Sequence, residues 1–215
     1  EKLDLLQLAN ENTKVNWQGQ LTQSIAGKEV YPRPVQDKLP LWVATGGHVE
    51  STVKIAQAGL PIVYAIIGGN PHYFKKLIQA YREIGRDAGH ADKDLKVGAH
   101  SWGWIAEDGE QAVKDYFHPT KQVVDAISKD RPHWQELTYK QYLEQVGPNG
   151  AMFVGNPDQV AEKLIRMIED LDLNRFMLHL PLGSMPHDQV LRAIELFGTQ
   201  VAPKIRAYFA MKEEL

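Results

Sequence analysis

LWVATGGHVESTVKIAQAGLPIVYAIIGGNP, residues 41–71, writes one structural unit twice. A short apolar run ends at Gly46-Gly47, and a helical stretch follows with Val53, Ile55 and Ala56 as its apolar positions. Gly59 stops that helix. A second apolar run, residues 61–67, then ends at Gly68-Gly69. Asn70 and Pro71 supply the cap and the first-turn residue of another helix. Strands that are apolar throughout, alternating with helices, predict a parallel sheet covered by helices.

The pattern continues downstream. A third strand is predicted over residues 95–106, followed by a helix with an acidic start, EDGEQAVKDYF. Asn156 and Pro157 open a helix before the fourth strand, RFMLHLPLG, and MPHDQVLRAIELFGTQV forms the next helix. Between the third and fourth units, residues 118–150 contain Pro119, Arg131-Pro132 and Gly147-Pro148. They predict an insertion, part helix and part loop, that is a candidate lid. Upstream, Leu3, Leu5, Leu6 and Leu8 predict a short helix, with irregular chain to about Gly27 and a three-proline connector over residues 31–40.

Four β/α units are half the eight of a TIM (β/α)8 barrel. The expected fold is α/β, the C-terminal portion of such a barrel, with a small open sheet as the alternative. Residues 1–215 are expected to form a single domain. The absence of an initial methionine and the abrupt helical start favour the barrel portion.

Composition narrows the function. The chain is 43% hydrophobic with a formal net charge of −3, and its basic residues form no stripe of the kind that binds nucleic acid. A mildly acidic surface disfavours anionic membranes, and no apolar run approaches the ~18 residues of a membrane span. The expected location is the cytoplasm. Without cysteine there is neither disulfide nor thiolate chemistry. The histidines lack paired metal-ligand spacing, and neither a GxSxG elbow nor a Walker A sequence occurs.

Three groups of residues carry chemistry. Gly46-Gly47, with Thr45 and Ser51 beside them, can present backbone amides and hydroxyls to an anion at a helix N-terminus. An ordinary strand-to-helix turn uses the same residues. Gly68-Gly69 stands at the corresponding end of the next strand, and a tight turn needing positive φ explains it equally well. In AHSWGW, alternation puts His100, Trp102 and Trp104 on one face, suited either to lining a pocket for a flat ring or to a core position. His179 lies near the same end of the fourth strand, and His187 is placed to start the last helix. All are candidate pocket residues, and none is marked as a catalytic base.

The segments LPLWVATGGHVESTVKIAQAGLPIVYAIIGG, GAMFVGNPDQVAEKL and RFMLHLPLGSMPHDQVLRAIELFGTQVAPKIR together resemble, in order, the bacterial luciferase-like flavin-dependent monooxygenases. The resemblance runs from the opening helix to about Arg206. It implies a TIM barrel that binds FMN, or in some branches F420, at the C-terminal mouth, with the first four β/α units absent from this chain. It further implies phosphate contacts from Gly46 and Gly47, an external flavin reductase or nicotinamide as electron source, and oxygen attack on a small organic substrate. A lid over residues 118–150 would bring His133 and Trp134 toward that substrate. The alternatives are an F420-dependent dehydrogenase on the same barrel, or a non-catalytic fragment serving assembly or flavin binding. Open strand edges predict a homo-oligomer or pairing with the N-terminal part.

Overall fold

The computed structural model describes residues 1–131 and 134–213. The chain divides into two compact units, Glu1–Leu41 and Trp42–Leu215.

In the first unit, helix α1 (Lys2–Glu11) accompanies an antiparallel hairpin of β1 (Lys14–Trp17) and β2 (Ile25–Glu29), in which Lys14 pairs with Glu29 and Trp17 with Ile25. The hairpin corrects the expectation of irregular chain up to Gly27. Its strands are too short and polar for alternation to show, and only Val15 is buried. Side chains hold the unit together. The Glu1 carboxylate accepts hydrogen bonds from the Thr22 hydroxyl and from the amides of Gln20, Leu21 and Thr22. These bonds, the Thr22 hydroxyl first, draw its pKa down to about 2. Arg33 donates to the carbonyls of Ala9, Asn10 and Asn12, which the end of α1 leaves free.

The second unit contains the parallel sheet. Its order is β3 (Val43–Thr45), β4 (Ile62–Ala65), β5 (Val97–Ile105), with β7 (Arg175–His179) paired to β5. These are the four strands expected, in the expected order. A further strand, β6 (Phe153–Gly155), pairs with the far end of β5, where Gly103 faces Phe153. It was not anticipated, because three residues carry no periodic signal. β5 is long enough to hold both partners, β7 along Gly98–Trp102 and β6 along Gly103–Ile105.

Helices α2 (Val49–Gln57), α3 (Lys75–Asp87), α4 (Gly109–Asp130), α5 (Tyr139–Val146), α6 (Pro157–Leu171), α7 (His187–Leu196) and α8 (Ala202–Glu213) accompany the sheet. A 3-10 turn, Pro71–Phe74, precedes α3, and a π-helical turn, Phe197–Val201, joins α7 to α8. The predicted caps are present. Asn70 accepts from the His72 amide, and Asn156 forms a reciprocal capping box with Gln159.

Residues 118–150 are part helix and part loop, with α4 running on through Pro119 to Asp130 and α5 following. An interior proline costs a helix about 3 kcal/mol in isolation. Here Tyr116, Pro119, Thr120 and Val124 are all buried, and packing outweighs that cost. The Thr120 hydroxyl also donates to the Tyr116 carbonyl at 2.6 Å.

Alternation divides the sheet's two faces. Tyr64 meets Thr52 of α2 (3.2 Å between oxygens) and the Phe74 ring, so its face is covered by helices. In β7, Phe176 and Leu178 share the covered side, whereas Arg175, Met177 and His179 are exposed. The Arg175 guanidinium lies 4.8 Å from the centre of the Trp42 ring. Gly98 leaves room on that face, since a Cβ there would stand 3.3 Å from both Trp42 and Val63.

Gly103 is held to its identity more tightly. An added Cβ would lie 2.4 Å from the Phe153 carbonyl oxygen and 2.5 Å from Leu178. Gly103→Ala is therefore expected to cost about 2 kcal/mol by overpacking, measured by urea denaturation. A loss below about 0.5 kcal/mol would show that the β5–β6 contact yields freely.

Candidate functional site

Parallel strands bring their C-terminal ends to one edge of the sheet, and most of the candidate residues fall there. Thr45 closes β3 in register with Tyr64 of β4, so the Gly46-Gly47 and Gly68-Gly69 turns leave neighbouring strands at the same edge. Gly47 has φ +96° and Gly69 φ +75°, values that favour glycine. Among the described residues, no heavy atom other than those of the chain neighbours lies within 4 Å of a Cβ built on Gly46, Gly68 or Gly69. An approaching group meets bare main chain at all three.

The Thr45 hydroxyl accepts from the Gly47 amide at 3.3 Å and shapes the turn. His48 occupies the cap position of α2 without a side-chain hydrogen bond. Among the described residues, the first-turn amides of α2 have no side-chain cap, while Ser51 is half-buried in the same turn. Glu50 is the one acid of that turn.

The second glycine turn is braced by β5. The Ile66 amide donates to the His100 carbonyl at 2.8 Å, and the buried Ser101 hydroxyl donates to the Ile66 carbonyl at 2.8 Å. Ser101 went unnoticed in the sequence, where nothing distinguishes a buried serine from an exposed one.

His100, Trp102 and His179 come together. Trp102 pairs in register with His179, and the His100 and His179 rings lie 5.6 Å apart. His100 is half-buried, Trp102 nearly fully buried and His179 exposed. Trp134 packs on Trp102 with ring centres 6.3 Å apart, so the segment after α4 reaches this wall. His133 lies outside the described residues. Trp104, two positions along β5, is 2% exposed and stacks on Tyr116 of α4. His187 begins α7 and is exposed. Met177, facing His100 in register, was also overlooked, although alternation back from His179 identifies it.

Burial, and then the neighbouring His179, lower the pKa of His100. A neutral imidazole between an indole and a second imidazole can donate or accept a hydrogen bond without placing a charge in the wall. The unfolded chain takes up this proton near pH 6.5, whereas the folded chain does so only at lower pH. The contribution of His100 to stability is thus complete above about pH 6.5 and is lost as the pH falls below it. His100→Gln should flatten the acid limb of a stability–pH profile. An unchanged limb would place the acid sensitivity elsewhere.

This geometry is that of a partial (β/α)8 barrel with two open glycine turns and an aromatic–imidazole wall at the ends of its strands. The chain belongs to the luciferase-like monooxygenase family, whose model matches residues 1–173. No curated protein sequence matches it.

Solved structures share the fold. The monooxygenase RslO1 from Streptomyces bottropensis superimposes with a TM-score of 0.74 at 18% identity, over 94% of this chain and 59% of that one. The oxygenating constituent of 3,6-diketocamphane monooxygenase from Pseudomonas putida, in complex with FMN, gives 0.63 at 16% identity, over 94% and 62%. The coenzyme F420-dependent tetrahydromethanopterin reductase of Methanopyrus kandleri gives 0.62 at 16% identity, over 93% and 60%. The present chain spans about 60% of the length of these proteins. Among the described residues, no helix is long and apolar enough to cross a membrane.

Proposed function

We propose that this chain forms part of an FMN-dependent monooxygenase acting on a small organic substrate. The observation that carries this reading is the open main chain of Gly46, Gly68 and Gly69 beside the uncapped start of α2, in a chain of the luciferase-like family. Gly46 and Gly47, with Thr45 and Ser51, would hold the flavin phosphate, and Gly68-Gly69 would pass beside it. His100, Trp102 and His179 would bound the flavin ring or the substrate, with His187 more remote. Bound flavin, reduced by a nicotinamide or by a separate reductase, would supply the electrons for activating oxygen. The protein's share is to orient that group and exclude water. Trp134, resting on Trp102, is the described residue of the 118–150 segment best placed to close over the site.

β3 and β7 each pair on one side only among the described residues, and Arg175, Met177 and His179 are exposed. Such edges require cover from further β/α units or from a second copy.

An F420-dependent oxidoreductase is the second reading, favoured by the likeness to the tetrahydromethanopterin reductase. Titrating the purified protein with FMN, riboflavin and F420 and following fluorescence separates the two. FMN binding at least about tenfold tighter than riboflavin supports the phosphate site and the first reading. Tighter F420 binding selects the second. Binding of none of them supports a role in assembly.

A further inference from the structure

Lys163, on α6, is the one buried charged side chain among the described residues, at 8% exposed. Its ammonium donates to the carbonyls of Met152 (2.6 Å), Gly147 (2.7 Å) and Val146 (3.0 Å), and lies 3.4 Å from that of Gln145. The Phe153 ring centre is 5.1 Å away. No carboxylate forms an ion pair with Lys163 among the described residues.

The origin of this cage is local. A helix leaves its last carbonyls without amide partners, and α5 ends at Val146. Gly147 takes φ −55° and ψ 172°, so the chain does not turn back through a left-handed residue to cap itself. Pro148 has no amide hydrogen to offer. The loop instead folds tightly around the carbonyls, with the Gly150 amide on Gly147 and the Met152 amide on Gln145. A Cβ at Gly150 would stand 2.1 Å from the Gln145 oxygen. What remains is a concave cluster of carbonyl oxygens at the negative end of a helix, and Lys163 projects its charge into it from another helix.

We infer that Lys163 is a tethered monovalent cation. It fills a carbonyl cage, between the end of α5 and the start of β6, whose chemistry suits K+ or NH4+, and a chain lacking the amine would bind either ion there. The ligands are all neutral oxygens with no carboxylate, which suits a singly charged ion and disfavours a divalent one. Ammonium and K+ are close in size, whereas Li+ would need the helix end and strand start to approach one another. The role of Lys163 is positioning. It ties α5, within the 118–150 segment, to the strand that pairs with the end of β5.

The test uses Lys163→Ala, which vacates the cage, and Lys163→Met, which keeps the stem but removes the charge. Measurements are made at about pH 6, below the value of about 7 to which burial and Arg166 draw the ammonium. In LiCl, both variants should exchange the Gly150 and Met152 amides about tenfold faster than the parent. At about 0.2 M KCl or NH4Cl, Lys163→Ala should recover most of that protection and raise its Tm, by mass action. Tetramethylammonium chloride should give no recovery, Lys163→Met should ignore the choice of ion, and so should the parent. Equal behaviour of Lys163→Ala in KCl, LiCl and tetramethylammonium chloride would overturn the inference, as would a Lys163→Met variant as protected as the parent. If Lys163→Ala folds only on dilution into KCl or NH4Cl, that supports the cage; failure in every salt counts against it. In the parent, amine labelling followed by mass spectrometry should find Lys163 last among the lysines, and labelling at the rate of surface lysines also refutes the assignment.

Discussion

Trp104→Ala is expected to lower stability by about 3–5 kcal/mol, the cost of deleting a buried indole and leaving a cavity. The side chain is 2% exposed, near the end of β5, where its backbone is in register with Val154 of β6. Its ring lies 5.9 Å from that of Tyr116 and within 8° of parallel, so the substitution also removes an aromatic pair worth about 1 kcal/mol. Tyr116 is itself fully buried, and burial drives its pKa far upward. Once the indole is gone, α4 has lost the flat surface against which its Tyr116 turn packs. Urea denaturation of Trp104→Ala and Trp104→Phe provides the check, and phenylalanine should recover more than half of the loss. A loss under about 1 kcal/mol for alanine would mean that α4 is held by its other contacts.

Gly47→Val should weaken FMN binding about 10- to 100-fold and leave riboflavin binding nearly unchanged. At φ +96° a β-branched residue is strained, and its Cβ would stand 2.9 Å from the Phe74 ring. The Gly46-Gly47 turn must then rebuild, and the amides that the proposed function points at a flavin phosphate lose their direction. Each charge-assisted hydrogen bond lost is worth about 1.5–3 kcal/mol, hence the range. Gly89→Val is the control. It also sits at positive φ, +91°, but in the turn after α3, distant in sequence from both glycine turns. It should lower stability without altering the ratio of FMN to riboflavin affinity. Parallel weakening of both ligands in Gly47→Val would exclude a phosphate role for this turn.

How far the sequence could be read depended on the range of each interaction. The caps at Asn70 and Asn156 were legible because a cap is settled within four residues, by one side chain and the amides just beyond it. The four principal strands were legible because a strand covered on both sides needs an unbroken apolar run. The hairpin of β1 and β2, and the three-residue β6, escaped notice. Their formation depends on a partner strand more than on their own pattern. Pro119 gives no local sign that the helix continues. Its local preference is to break a helix, and only the burial of its neighbours makes α4 continue.

The candidate site shows the same division. Glycines at strand ends, and histidines and tryptophans alternating along β5, are features of the chain itself. The sequence by itself therefore determined the order of the β/α units, the two glycine turns and the family likeness. These rest on periodicity and on conformational limits that act within a few residues. The tertiary structure alone decided that His100 meets His179 across a strand pair and that Arg175 reaches Trp42 over the bare Gly98. It also decided that Lys163 caps a helix to which it does not belong. Each of these joins residues at least 16 positions apart in the sequence, which only packing brings together.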